Sequence, residues 1–118
     1  MELYHATPIE NLDSILAEGI KPFPNQTSKG EPEVCLSPSM FGAAIYALEV
    51  DRWKVSTGQK EKLAEGYVVL SVDATNYDPQ MGYYDEFVVK EAIDPKDIRP
   101  VMRGKLESWI KVLRLDET

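Results

Sequence analysis

The chain opens on LYHAT at residues 3–7 and runs without a spacer into PIENLDSILAEGIKP. A short apolar strand must therefore turn directly into a helix. The helix start is well signalled. Thr7 is placed as N-cap, Pro8 at the first helical position and Glu10 three residues after Thr7, which spells a capping box. Ile9, Leu12, Ile15 and Leu16 recur at helical spacing, and Gly19 followed by Ile20 and Pro22 closes the helix. His5 is the only histidine in 118 residues and sits at the strand end, against the helix start. Residue type alone allows two readings of it, a satisfied strand-end histidine or a ligand contact.

Two further blocks carry the same strand-to-site character. EVCLSPSMFGAAIYAL at 33–48 reads as a short strand, Val34 to Leu36, then serines, then a helix bearing Ala43, Ala44 and Tyr46. Ser37 or Ser39 caps that helix, with Pro38 in or just before its first turn, and the helix is expected to end near Glu49. Gly42 within it is either a tolerated cost or a close-packing point. YYDEFVVKEAIDPKDI at 83–98 places Glu86 at the head of an apolar strand, residues 86–90. A carboxylate there stands at a sheet edge, where a cleft can lie.

Between these blocks, YVVLSVDA at 67–74 is a dense β-branched run and reads as a core strand. Residues 21–32 hold three prolines and a glycine, so they read as a loop, either a plain connector or a ligand cover. Residues 51–66 are charged and read as a loop or a short exposed helix, and 75–85 as an aromatic-rich turn. The end, LESWIKVLRL, is assigned as strand from Trp109, Ile110 and Val112. Helices early and strands late describe a single α+β domain over 1–118 rather than a doubly wound sheet.

Several chemistries are absent from the pattern. There is no GxGxxG after a strand and no GxxxxGK[ST], which removes Rossmann and P-loop sites. One histidine and one cysteine, Cys35, supply no metal cluster and no internal disulfide, and the single thiol suits a reducing cytoplasm. Ser37 and Ser39 lack a nucleophile elbow for a hydrolase triad. A net charge of −7, from 20 acidic and 13 basic residues, repels phosphate backbones, so broad nucleic-acid binding is not expected. No apolar run approaches a membrane span, and no basic-then-apolar leader opens the chain, so a cytoplasmic protein is expected.

The three blocks in order, histidine, helix tyrosine and pre-strand glutamate, resemble the H-Y-E triad of the ADP-ribosyltransferase superfamily. The opening is also similar to that of the tRNA 2'-phosphotransferases. The resemblance implies an ADP-ribosyltransferase-like domain with split antiparallel β-sheets and two N-terminal helices. It implies NAD as the donor and a macromolecular acceptor, a protein, in the manner of a toxin, a phage-encoded host modifier or a defence inhibitor. It makes His5, Tyr46 and Glu86 the catalytic set, and gives His5, Ala6, Thr7, Ser37 and Tyr46 to NAD binding. It gives no residue to a metal.

Departures from the family pattern shape the expectation further. Eleven residues before Tyr46, where the family carries a second tyrosine, stands Cys35; Phe41, Phe23 or a tyrosine of 77–84 is left to supply a ring. The tRNA 2'-phosphotransferases hold the RNA phosphate with arginines and a second histidine close to these motifs; here the arginines are 52, 99, 103 and 114 and there is no second histidine, against a 2'-phosphate site on RNA. Tyr84 precedes Glu86 by two residues, giving Y-x-E in place of the E-x-E of arginine-modifying toxins, and is a candidate acceptor contact. The alternative is an inactive relative that uses the fold to bind and inhibit a protein.

Overall fold

A computed structural model describes residues 1–24, 31–82, 86–105 and 108. In chain order its elements are β1 (Glu2–Pro8), a 3-10 turn (Ile9–Asn11), α1 (Leu12–Glu18), β2 (Phe23–Pro24), β3 (Pro32–Leu36) and α2 (Met40–Ser56). Then follow β4 (Gly66–Asp73), β5 (Gln80–Met81), β6 (Phe87–Val89), a second 3-10 turn (Pro95–Asp97) and β7 (Ile98–Lys105). They form two antiparallel sheets, β1-β4-β7 and β2-β3-β6-β5, with both helices in the first half of the chain. The domain is α+β, as its pattern of helices and strands implies. Among the described residues, no helix is long and apolar enough to cross a membrane.

Strand β4 is the middle of the first sheet and is buried from Gly66 through Val72, which is why its sequence is apolar without alternation. Its side chains nevertheless divide by parity. Tyr67 and Val69 join Ala6 and the small residues Ala43, Ala44 and Ala47 of α2, which let the helix approach closely. Val68, Leu70 and Val72 face the other way. There they pack with Leu12 and Ile15 of α1 and with Val34, Leu36 and Val89 of the second sheet.

Local structure departs from the sequence expectation at several places, among them β2 within the expected loop 21–32 and β5 within the expected turn 75–85. The Thr7–Glu10 capping box does not form: Thr7 stays inside β1 opposite Val68, and its Oγ1 accepts from Asn11 Nδ2 at 2.9 Å. Pro8, with φ −53° and ψ 140°, is the last extended residue, so the chain tightens through a 3-10 turn before α1. Gly19 does end α1, with φ 86° and its N–H on the Ile15 carbonyl. A Cβ there would lie 2.0 Å from the Ile93 carbonyl oxygen, so the position needs glycine for space as well as for conformation.

Helix α2 runs to Ser56, seven residues past the expected end at Glu49. The reason is Asp51, which reads as a solvent-facing charge but is buried, with partners far along the chain. Its carboxylate accepts from Lys60 Nζ at 2.5 Å, from the Ala64 N–H at 2.8 Å and from the Tyr67 hydroxyl at 2.8 Å. Lys60 also reaches Glu10 at 3.5 Å, tying the 3-10 turn to the same knot. Strand β7 was not assigned from the sequence, because Pro100 and Gly104 interrupt its alternation. It pairs with β4 along its length, through a register shift at Val69/Leu70. Strand β6 is shorter than 86–90, and Glu86 stands just before it. The terminal segment LESWIKVLRL, except Ser108, lies outside the described residues.

The Asp51 knot generates a stability prediction. Burial pushes the Asp51 carboxyl up, but the bonds from Lys60, Ala64 and Tyr67 outweigh it and hold its pKa below the usual value. A depressed carboxylate stabilises the fold above its unfolded pKa, about 4, and loses that contribution as pH falls through the folded pKa. Asp51→Ala should cost roughly 2–4 kcal/mol in urea denaturation at pH 7, because it leaves the buried Tyr67 hydroxyl without its acceptor and removes the main partner of the partly buried Lys60 ammonium. The difference from wild type should shrink as pH falls below about 4; a pH-independent difference would contradict the role of the charge.

Candidate functional site

The site begins where the two sheets meet. Strands β1 and β3 are joined at one antiparallel bridge, in which Tyr4 and Ser37 exchange both backbone bonds, at 2.8 and 2.7 Å. In such a ladder the next pair pointing at each other would be Ala6 and Cys35. That exchange is not made. The strands part, and the Cys35 carbonyl is taken at 3.1 Å by Nδ1 of His5. A carbonyl only accepts, so Nδ1 carries the proton and Nε2 is left as an acceptor. Among the described residues, the Ala6 N–H and C=O have no ladder partner on this side. They form a donor–acceptor edge at the split.

The register of the second sheet places the carboxylate. Cys35 lies opposite Val88 and Leu36 opposite Phe87, so Glu86 falls level with Ser37 and on the same face as Cys35. Glu33 and Lys90 share that face further along, and their ion pair at 3.2 Å follows from the register. Gly82 presses against Glu86: its N–H donates to the Glu86 carbonyl at 2.8 Å, and a Cβ there would meet Glu86 Cγ at 3.1 Å.

Helix α2 brings the aromatic ring. Ser39, in an extended conformation, is its N-cap, accepting from the Gly42 N–H at 3.0 Å, while Ser37 Oγ accepts from the Ser39 N–H at 3.2 Å. Gly42 proves to be a close-packing point, since a Cβ would lie 2.5 Å from Ser37 Oγ. One turn on, the Tyr46 hydroxyl reaches Cys35 Sγ at 3.8 Å.

These elements enclose a cavity of about 410 Å3, within the range of small-molecule sites. Its walls include His5, Ala6, Cys35, Ser37, Tyr46 and Glu86. Of the six residues given catalytic or NAD-binding roles by the resemblance, all but Thr7 line it. Thr7 instead lines an adjoining cavity of about 610 Å3, which shares His5, Ala6 and Tyr46 with the first and continues along α1 and α2 to Lys54 and Lys60. Phe41, a candidate stand-in ring, is 53% exposed and lines neither cavity. Tyr84 lies outside the described residues. Gly82 and the second cavity carry no sequence signal of their own; only the register and the fold bring them to the site.

Electrostatics keep the neutral groups neutral. Burial pushes the Cys35 thiol up to about 12, helped by the negative charge of Glu86, so it is a thiol and a poor nucleophile. Burial likewise raises Tyr46, with Cys35 and Glu86 adding to the shift. For His5, burial lowers the pKa and the Cys35 carbonyl bond only partly opposes it. The site is thus a neutral imidazole, a phenol, a thiol and one carboxylate around a backbone edge that has no ladder partner among the described residues. Comparison with protein-family models and with curated proteins gives no match, so the chemistry of these groups is what bears on function.

His5 makes a direct check possible because no second histidine overlaps its signals. Its 15N-detected titration should show the Nδ1–H tautomer at pH 7 and a midpoint below the ordinary 6.5. An Nε2–H tautomer, or a midpoint above 6.5, would contradict the bond to Cys35.

Proposed function

We propose that the protein is an NAD-dependent ADP-ribosyltransferase that modifies a protein acceptor. The observation that carries this reading is that one cavity is lined by His5, Tyr46 and Glu86, three residues separated by about 40 positions at each step, beside the open edge of Ala6. A primary carboxamide has one donor and one acceptor side, and the Ala6 N–H and C=O match both. Nicotinamide would bind there with its ring against Tyr46, a π face suited to a cationic heterocycle. The Nε2 lone pair of His5 would accept from a ribose hydroxyl. The adjoining cavity, reached past His5 and Thr7, supplies room for the rest of a dinucleotide, and Ser37 supports the wall beside Glu86.

The reaction asks little else of the protein. The bond between ribose C1' and the pyridinium nitrogen breaks, its electron pair leaves with nicotinamide, and positive charge develops on the ribose. Glu86 would face that charge and hold a ribose hydroxyl, an interaction stronger in the transition state than in the ground state. The acceptor nucleophile then bonds to C1' and gives up its proton. With water in its place, the same step is NAD hydrolysis. The acidic surface, net −7, favours a protein over a nucleic acid as acceptor.

The second reading, an inactive relative that binds and inhibits a protein, is favoured by Cys35 standing where the family's strand tyrosine would be. Nicotinamide release from NAD, with and without cell extract, separates the two. Wild type should release nicotinamide, and Glu86→Gln should slow it roughly 10²–10³-fold, while the rise in Tm caused by NAD persists. Glu91→Gln, at an exposed position, should be nearly silent. Unchanged release in Glu86→Gln would overturn the transferase reading, and a biological effect that survives Glu86→Gln would favour the binder.

A further inference from the structure

The geometry points to Cys35 as the positioning residue of this site: its carbonyl holds His5 and its thiol holds Tyr46 and Glu86 together. This rests on the transferase reading, in which the placement of Glu86 matters. The carbonyl takes His5 Nδ1 at 3.1 Å and so sets which nitrogen is free to meet a ligand. The sulfur accepts from the Tyr46 hydroxyl at 3.8 Å. Glu86 falls one register pair along the same face as Cys35, lines the same cavity and raises the thiol pKa; an ionised carboxylate only accepts, so in a contact between them the S–H is the donor. The order is Tyr46 O–H to sulfur, then S–H to Glu86.

The sheet explains why a small residue can do this. Cys35 is 8% exposed, in the middle of the face that carries Ser37 and, across the register, Val88 beside Glu86. A side chain of two heavy atoms beyond the backbone cannot stack on a ligand. It can stand between the helix ring and the strand carboxylate and fix the distance between them. The thiol stays protonated across the physiological range, pushed up to about 12 by burial and by Glu86, so the donor is always present. A ring at this position would act on the ligand; the thiol acts on the residues that meet the ligand.

The test is steady-state NAD cleavage by the full chain, with the Tm of every variant recorded. Cys35→Ala should lower kcat about tenfold with KM within about twofold, since a misplaced group costs rate more than binding. Cys35→Ser, which keeps a donor and an acceptor, should recover most of that loss. Cys35→Ala combined with Glu86→Gln should be no slower than Glu86→Gln alone, because both remove one interaction. Wild-type kcat in Cys35→Ala, no rescue by serine, or losses that multiply in the double variant would overturn the proposal. A second arm needs no turnover: Glu86→Gln should speed alkylation of Cys35 by iodoacetamide at pH 9 severalfold relative to Glu91→Gln, by removing the charge that raises the thiol pKa. Equal alkylation would overturn the thiol–Glu86 contact even if NAD is not cleaved. Faster alkylation without any NAD cleavage would keep the contact and overturn the transferase reading instead.

Discussion

Everything at the site depends on where the β1–β3 ladder stops. Tyr4 and Ser37 form a full backbone pair, and two residues later the strands have parted. Interrupting a ladder inside a packed domain leaves polar backbone groups that need partners. Here His5 meets the need of the Cys35 carbonyl, while the edge of Ala6 stays open to the cavity. The same interruption separates the two sheets enough for the Leu70–Val34 core to sit between them.

The remaining packing holds that split open. The alanines of α2 bring the helix down onto β1 and β4, and its cap at Ser39 aims the first turn at Ser37. Gly42 and Gly82 are small where a Cβ would push against Ser37 and Glu86. Asp51 anchors the far end of α2 to the segment that returns to β4 and to Tyr67 of that strand. Side chains distant from the cavity thus decide the positions of those within it.

Much of this was legible in the sequence. The dense β-branched run of β4, the glycine that ends α1 and the serines ahead of α2 each have a local cause, and each lies where the pattern puts it. The grouping of His5, Tyr46 and Glu86 comes from the resemblance of their three blocks, and the fold brings all three to one cavity. What was not legible depends on distant partners. Thr7 reads as a cap, but pairing with Val68 keeps it in the strand. Asp51 reads as surface until Lys60, Ala64 and Tyr67 arrive, and β7 is hidden by Pro100 and Gly104 until β4 pairs with it. Cys35 lines the cavity, and the contacts of its carbonyl with His5 and of its sulfur with Tyr46 depend on where β1 and α2 lie against β3.

The central claim is that the open edge of Ala6 is where the nicotinamide end of NAD docks. The most direct test is the backbone amide spectrum of 15N-labelled protein during titration with NAD and, separately, with nicotinamide alone. The account predicts that the Ala6 amide moves downfield with both ligands as its N–H gains an acceptor, with His5 and Ser37 shifting alongside it. An Ala6 amide that stays in place while NAD saturates the protein would contradict the account.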